Sequence, residues 1–131
     1  MHSNVTNGKL IHPELSYKLT GLFFEVHNNV GRFGREKQYC DFLESILRRE
    51  SIKYEREKNI PIVNISNEHT NRADFIIDEK ILIEMKAKPM ILKEDYVQIQ
   101  RYLQASGYKL GLLVNFRNRY LKPIRIIRIN S

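Results

Sequence analysis

At 131 residues the chain fits one domain with room for a packed core, and 42% hydrophobic content with six Gly and four Pro excludes a low-complexity or collagen-like polypeptide. Twenty-two Lys and Arg against fifteen Asp and Glu give a net charge of +7, which favours a polyanionic partner over a lipid surface. Cys40 is the only cysteine and His2, His12, His27 and His69 lack ligand spacing, which excludes an internal disulfide and a Cys/His zinc site; with no apolar run long enough for a membrane span or signal peptide, a cytoplasmic protein is expected.

Residues 1–12 are polar and read as a flexible N-terminus, with one domain over 13–131. From Pro13, the recurrence of Leu15, Leu19, Leu22, Phe23, Val26 and Val30 at three- and four-residue intervals predicts an amphipathic helix that Gly31 ends. After Gly31-Arg32-Phe33-Gly34, a second helix places Tyr39, Phe42, Leu43, Ile46 and Leu47 on one side. Glu36, three residues before Tyr39 and four before Cys40, is expected to share their inward side.

Residues 54–65 turn β-like, with Pro61 confining the later half to an edge or bulge, and 64–71 reads as a polar loop. Strands are expected at 72–78 and 80–87, joined by a short turn at Asp78-Glu79-Lys80. A third helix over 93–106 directs Tyr96, Ile99 and Leu103 to the core and stops at Gly107. Strands at 109–116 and 124–129 follow, linked by a basic turn with Arg117, Arg119 and Lys122. Five strands with three amphipathic helices predict an α/β fold, an αβ sandwich around one mixed sheet.

The chemistry concentrates in the two middle strands. Alternation along Ile81-Leu82-Ile83-Glu84-Met85-Lys86 points Glu84 and Lys86 to one face, and the hairpin brings Asp74 of Arg72-Ala73-Asp74-Phe75 beside Glu84. Two hard oxygen ligands a few ångströms apart suit Mg²⁺. A solvated ion pair is the bland alternative, but apolar residues on both faces of the strand demand a partner or a cation for the acid. Gln98 and Tyr102, four apart on the third helix at the edge of its apolar stripe, read either as a boundary pair facing solvent or as a polar ledge next to the carboxylates.

The ordered set Glu36, Asp74, Glu84-x-Lys86 and Gln98-x-x-x-Tyr102 resembles the PD-(D/E)xK nuclease superfamily, and within it the small prokaryotic GxxExxY branch. Leu19-Thr20-Gly21-Leu22-Phe23-Phe24-Glu25-Val26-His27 and Gly111-Leu112-Leu113-Val114-Asn115-Phe116 extend the similarity over nearly the whole chain. Two positions depart from the pattern: Phe33 stands where the signature has Gly, and Ala73 replaces the Pro before the first Asp.

The resemblance implies a restriction-endonuclease-like domain with about five strands, hydrolysing phosphodiester bonds of nucleic acid, DNA ahead of RNA. It implies Mg²⁺ (or Mn²⁺) held by Asp74, Glu84, Glu36 and the Met85 carbonyl, with Lys86 acting on the attacking water and Gln98 and Tyr102 in support. Lys88, Lys93, Arg101, Arg117 and Arg119 are the candidate contacts to the nucleic-acid backbone. Two other readings stay open: a catalytically inactive nucleic-acid-binding protein that retains the fold, and a module completed by a homodimer through Tyr17, Phe23 and Phe24.

Overall fold

The structure, a computed structural model, describes residues 11–62 and 71–129. The expected flexible segment is described only at residues 11 and 12, and residues 63–65 of the expected strand and 64–70 of the expected loop lie outside the described residues. In chain order the described elements are α1 (Pro13–Val30), α2 (Glu36–Arg49), β1 (Tyr54–Asn59), β2 (Arg72–Ile77), β3 (Ile81–Lys86), α3 (Lys93–Ser106), β4 (Leu110–Asn115) and β5 (Ile124–Ile127). The five strands lie side by side in sequence order, antiparallel except for the β3–β4 pair.

Local chemistry sets the boundaries. Pro13 occupies the first turn of α1, where its missing N–H costs nothing, and Gly31 follows with φ of 84°, a value that favours Gly. The β2–β3 hairpin turns through Asp78 and Glu79, both at positive φ, and closes with Lys80 N–H donating to the Ile77 carbonyl. Two positive φ values are what a tight right-twisted hairpin requires. Parallel β3 and β4 need a crossover, which α3 supplies.

The helices divide between the two faces of the sheet. Helices α1 and α2 bury Leu19, Phe23, Tyr39 and Leu43 against Phe75, Ile77, Ile83, Met85, Leu112 and Val114. Helix α3 buries Ile99, Tyr102 and Leu103 against Ala73, Ile76, Leu82 and Leu113. Gly111 permits that approach: a Cβ there would stand 2.9 Å from Ile99 Cγ2. Residues 82 and 84 therefore share the α3 face of β3, by alternation.

Several expected orientations are corrected. Tyr96 is 38% exposed, and the inward stripe of α3 is Asp95, Ile99, Tyr102 and Leu103. Asp95 displaces Tyr96 because it accepts the Leu92 N–H and binds Lys88, which fixes the rotation of the first turn. Phe23, offered as surplus surface for a homodimer, is fully buried beside Phe116, while Phe24 and Tyr17 face out. Glu36 is exposed: it is the first residue of α2, and the buried side of that helix starts only at Tyr39 and Cys40.

Candidate active site

The β2–β3 ladder pairs Ile77 with Ile81, Ile76 with Leu82 and Phe75 with Ile83. At the next step side chains take over from backbone. Asp74 N–H donates to Glu84 Oε2 at 2.8 Å, and Met85 N–H donates to Asp74 Oδ2 at 2.7 Å. Across β2, the pairing with β1 includes Arg56 with Phe75 and Lys58 with Ala73, and Glu57 between them takes a φ of 56°. Asp74 thus sits where backbone pairing with β3 gives way to side-chain bonds and where the facing residue of β1 has a positive φ.

Glu84 is 4% exposed, and Lys86 Nζ stands 4.0 Å from its Oε1. Burial pushes the Glu84 carboxyl up to about 8, and the nearby Asp74 charge adds to the rise. Burial also lifts Asp74, to about 6; the Met85 N–H opposes the rise and the Glu36 charge assists it. Two acids that share so little solvent titrate as a pair. Glu36 adds negative charge from the surface of α2, and Arg56, bound to Asp41 and Glu44, adds positive charge from behind. The Cys40 thiol beside them is pushed up to about 12, by burial and then by the Asp74 charge, so it is an inert neighbour.

Tyr102 is buried, and burial followed by the charges of Glu84 and Asp74 raises its hydroxyl above the ordinary tyrosine range. Gln98 is half-buried one helical turn earlier. Of the candidate phosphate contacts, Lys88 is tied to the buried Asp95 at 2.8 Å, so its ammonium is committed inside the chain. Lys93 and Arg101 are exposed and line an apolar groove with Tyr96, Val97 and Ile129 on the outer side of α3. Arg117 is half-buried, with its guanidinium donating to the Ala87 carbonyl at 3.3 Å; Arg119 is exposed.

Two supporting residues escaped the sequence reading. Asn115 clamps the chain just past Lys86: its Oδ1 accepts the Lys88 N–H at 3.1 Å and its Nδ2 donates to the Lys88 carbonyl at 2.8 Å. Asp95 anchors Lys88 itself. An Asp at the third position of a helix hints at a cap, but nothing local in the sequence ties either residue to Lys88.

The donor set fits a hard divalent cation in part. Each carboxylate gives one oxygen to a backbone N–H, and the second oxygens, Asp74 Oδ1 and Glu84 Oε1, are the ligands the pair can offer. Among the described residues no group of three or more His, Cys, Asp or Glu is gathered at metal-holding distance, so Glu36 is not within such a cluster. Two carboxylates suffice for Mg²⁺, which commonly completes its shell with water and substrate phosphate.

A family model described as the PD-(D/E)XK nuclease superfamily matches residues 13–129. The solved structure of SSO0001 superposes with a TM-score of 0.54 at 26% identity, over 70% of this chain and 49% of that one. An alkaline exonuclease (LHK-Exo) from Laribacter hongkongensis gives a TM-score of 0.49 at 15% identity, over 66% of this chain and 52% of its own. The chain thus spans about half the length of each of these two proteins. No curated protein matches it. Among the described residues no helix is long and apolar enough to cross a membrane.

Proposed function

The chain belongs to the PD-(D/E)XK nuclease superfamily, whose model covers residues 13–129, and from that premise we propose that it hydrolyses phosphodiester bonds of nucleic acid, DNA ahead of RNA. Asp74 and Glu84 would hold Mg²⁺ or Mn²⁺, with the Met85 carbonyl as a further oxygen ligand and exposed Glu36 adding negative charge at the rim. The observation that carries this reading is the acid pair, Glu84 buried and Asp74 half-buried, locked by two backbone N–H groups and with one ammonium 4.0 Å from Glu84. A buried and a half-buried carboxylate with so little compensating charge are costly when both are ionised, and a divalent cation would supply the balance.

When bound, the cation supplies a water of lowered pKa and positive charge against the phosphoryl transition state. The residues of the chain do the positioning. The N–H groups of Asp74 and Met85 fix one oxygen of each carboxylate, which leaves the other aimed without reorganisation. Lys86 Nζ hydrogen-bonds the attacking water and offsets charge on the phosphate. Buried Tyr102, with Gln98 one turn before it, walls the α3 side and keeps the ammonium near Glu84. Lys93, Arg101, Arg117 and Arg119 contact the backbone of the substrate, and Lys88 serves indirectly, through Asp95, to hold the segment after Lys86.

A second reading is a nucleic-acid-binding module without hydrolysis, favoured by the lack of a third acid at ligand spacing among the described residues. One assay separates the two: purified protein with Mg²⁺ or Mn²⁺ on linear, circular, branched and single-stranded DNA and on RNA, alongside Glu84→Ala. Cleavage by the native chain that Glu84→Ala loses supports hydrolysis; retention of bound but uncut substrate throughout the panel supports the module.

A further inference from the structure

Two exposed aromatic rings, on the loops ahead of α2 and β5, have no part in the chemistry just described. Phe33, between α1 and α2, is 76% exposed, and Tyr120, between β4 and β5, is 79% exposed. Single exposed rings are ordinary, but each of these lies beneath an arginine. Arg32 stands 4.8 Å and Arg117 5.9 Å from the Phe33 centroid, and Arg119 stands 5.5 Å from that of Tyr120.

The Phe33 loop is held rigid. The Tyr39 hydroxyl donates to the Gly31 carbonyl at 2.5 Å and accepts the Gly34 N–H at 2.9 Å, while its ring stacks on Phe116 with centroids 4.4 Å apart. A Cβ on Gly34 would stand 2.8 Å from Val30 Cγ1 and 3.1 Å from Tyr39 Cζ, so any larger residue there must push those side chains aside. A ring presented to solvent on so constrained a loop is preorganised for contact.

The two loops are joined to each other and to the site. Arg32 Nε donates to the Arg117 carbonyl at 2.9 Å, and His27 Nε2 meets the Asn118 carbonyl at 2.9 Å. Phe116 N–H donates to the Lys86 carbonyl at 2.9 Å, and Arg117 reaches the carbonyl of Ala87, the next residue. Residues 31–37 and 116–123 together carry six Lys and Arg against Glu36 alone.

We propose that this surface captures unpaired nucleotides, with Phe33 and Tyr120 stacking on bases and the neighbouring arginines holding the adjoining phosphates. The inference rests on the nuclease reading for its purpose and narrows the substrate to a single strand or a frayed end. Stacking on an aromatic ring requires a base whose face is free, which a duplex interior does not offer. The dense positive charge fits a polyanion and disfavours a basic or neutral protein partner.

The native chain contains no Trp, so Phe33→Trp introduces a single reporter. In EDTA, where cleavage is suppressed, oligothymidylate or oligouridylate of about 12 nucleotides is titrated against this variant, with a blunt duplex of similar length as control. The expected result is quenched emission with either single strand and none with the duplex; the two single-stranded arms tell DNA from RNA by their relative affinities. Anisotropy with labelled oligonucleotide should show affinity lowered roughly tenfold in Phe33→Ala, less in Tyr120→Ala, and near-native in Phe33→Tyr. Binding that leaves the emission unmoved, equal affinity in Phe33→Ala, equal quenching by duplex, or no binding by the native chain overturns the proposal. Because cleavage does not enter these readings, loss of the stacking surface and loss of the hydrolytic assignment are distinguishable.

Discussion

Asp74 and Glu84 are coupled through the backbone: the N–H of Asp74 donates to Glu84 Oε2 at 2.8 Å, where a regular antiparallel strand would offer a carbonyl. Glu84 is thus both an acid and a piece of the sheet. Glu84→Gln keeps an oxygen acceptor for that N–H and removes the buried charge, so the folded protein without metal should gain about 1 kcal/mol or more at alkaline pH. Glu84→Leu orphans the N–H and should lose about 1–3 kcal/mol relative to Gln. Urea denaturation compares the two; equal stability of Gln and Leu would contradict the bond's structural role.

The raised carboxyls make stability depend on pH with a definite sign. Glu84 moves from 4.5 to about 8 and Asp74 from 3.8 to about 6, so between those limits the folded chain binds more protons than the unfolded one. Stability contributed by the protonated pair is therefore present at low pH and lost as pH rises through the folded values. Without divalent ion, Tm should fall from about pH 5 to about pH 8 on account of this pair, and Mg²⁺ should restore more of it at the higher pH. Thermal melts of native chain and Glu84→Gln isolate the effect; an unchanged slope in the variant contradicts it.

Lys88 and Arg119 should behave differently although both are basic and near the site. Lys88 neutralises buried Asp95, whose carboxyl is held low by Lys88 and the Leu92 N–H in spite of its burial. Lys88→Ala should destabilise the fold by about 1.5–3 kcal/mol and leave the salt dependence of nucleic-acid binding nearly unchanged. Arg119→Ala should leave stability intact and lower the salt slope by roughly one unit. Chemical denaturation paired with binding at several salt concentrations reads both.

Tyr39 anchors the loop ahead of α2 through one hydroxyl. Tyr39→Phe leaves the Gly34 N–H and Gly31 carbonyl without that partner and should cost about 1–2 kcal/mol. Gly34→Ala should cost about 1–3 kcal/mol by overpacking against Val30 and Tyr39. Wild-type midpoints in urea for either variant would contradict the anchoring role.

Periodicity carried most of the fold, because α1 and α2 together cover one side of the sheet, α3 covers the other, and β3 is buried on both of its faces. The meeting of Asp74, Glu84 and Lys86 was readable for a local reason: a short hairpin and strict alternation relate residues only ten or so apart. What escaped was non-local or rotational. Lys88 with Asp95 depends on how the segment between β3 and α3 folds back, and the rotation of α3 was decided by that pair against the larger aromatic Tyr96. The approach of Arg32 to Arg117, 85 positions away, leaves no periodic trace at all. Glu36 has the spacing of the inward residues of its helix yet is exposed at its first position, a difference that spacing alone cannot encode.

Divalent-ion uptake measures the carboxylate pair most directly: calorimetric titration of Mn²⁺ into the native chain, Asp74→Asn and Glu84→Gln at a pH above both folded values. The expected result is a saturable site in the native chain that each substitution weakens at least tenfold. Equal uptake by all three proteins, or none by the native chain, would contradict a cation held between Asp74 and Glu84.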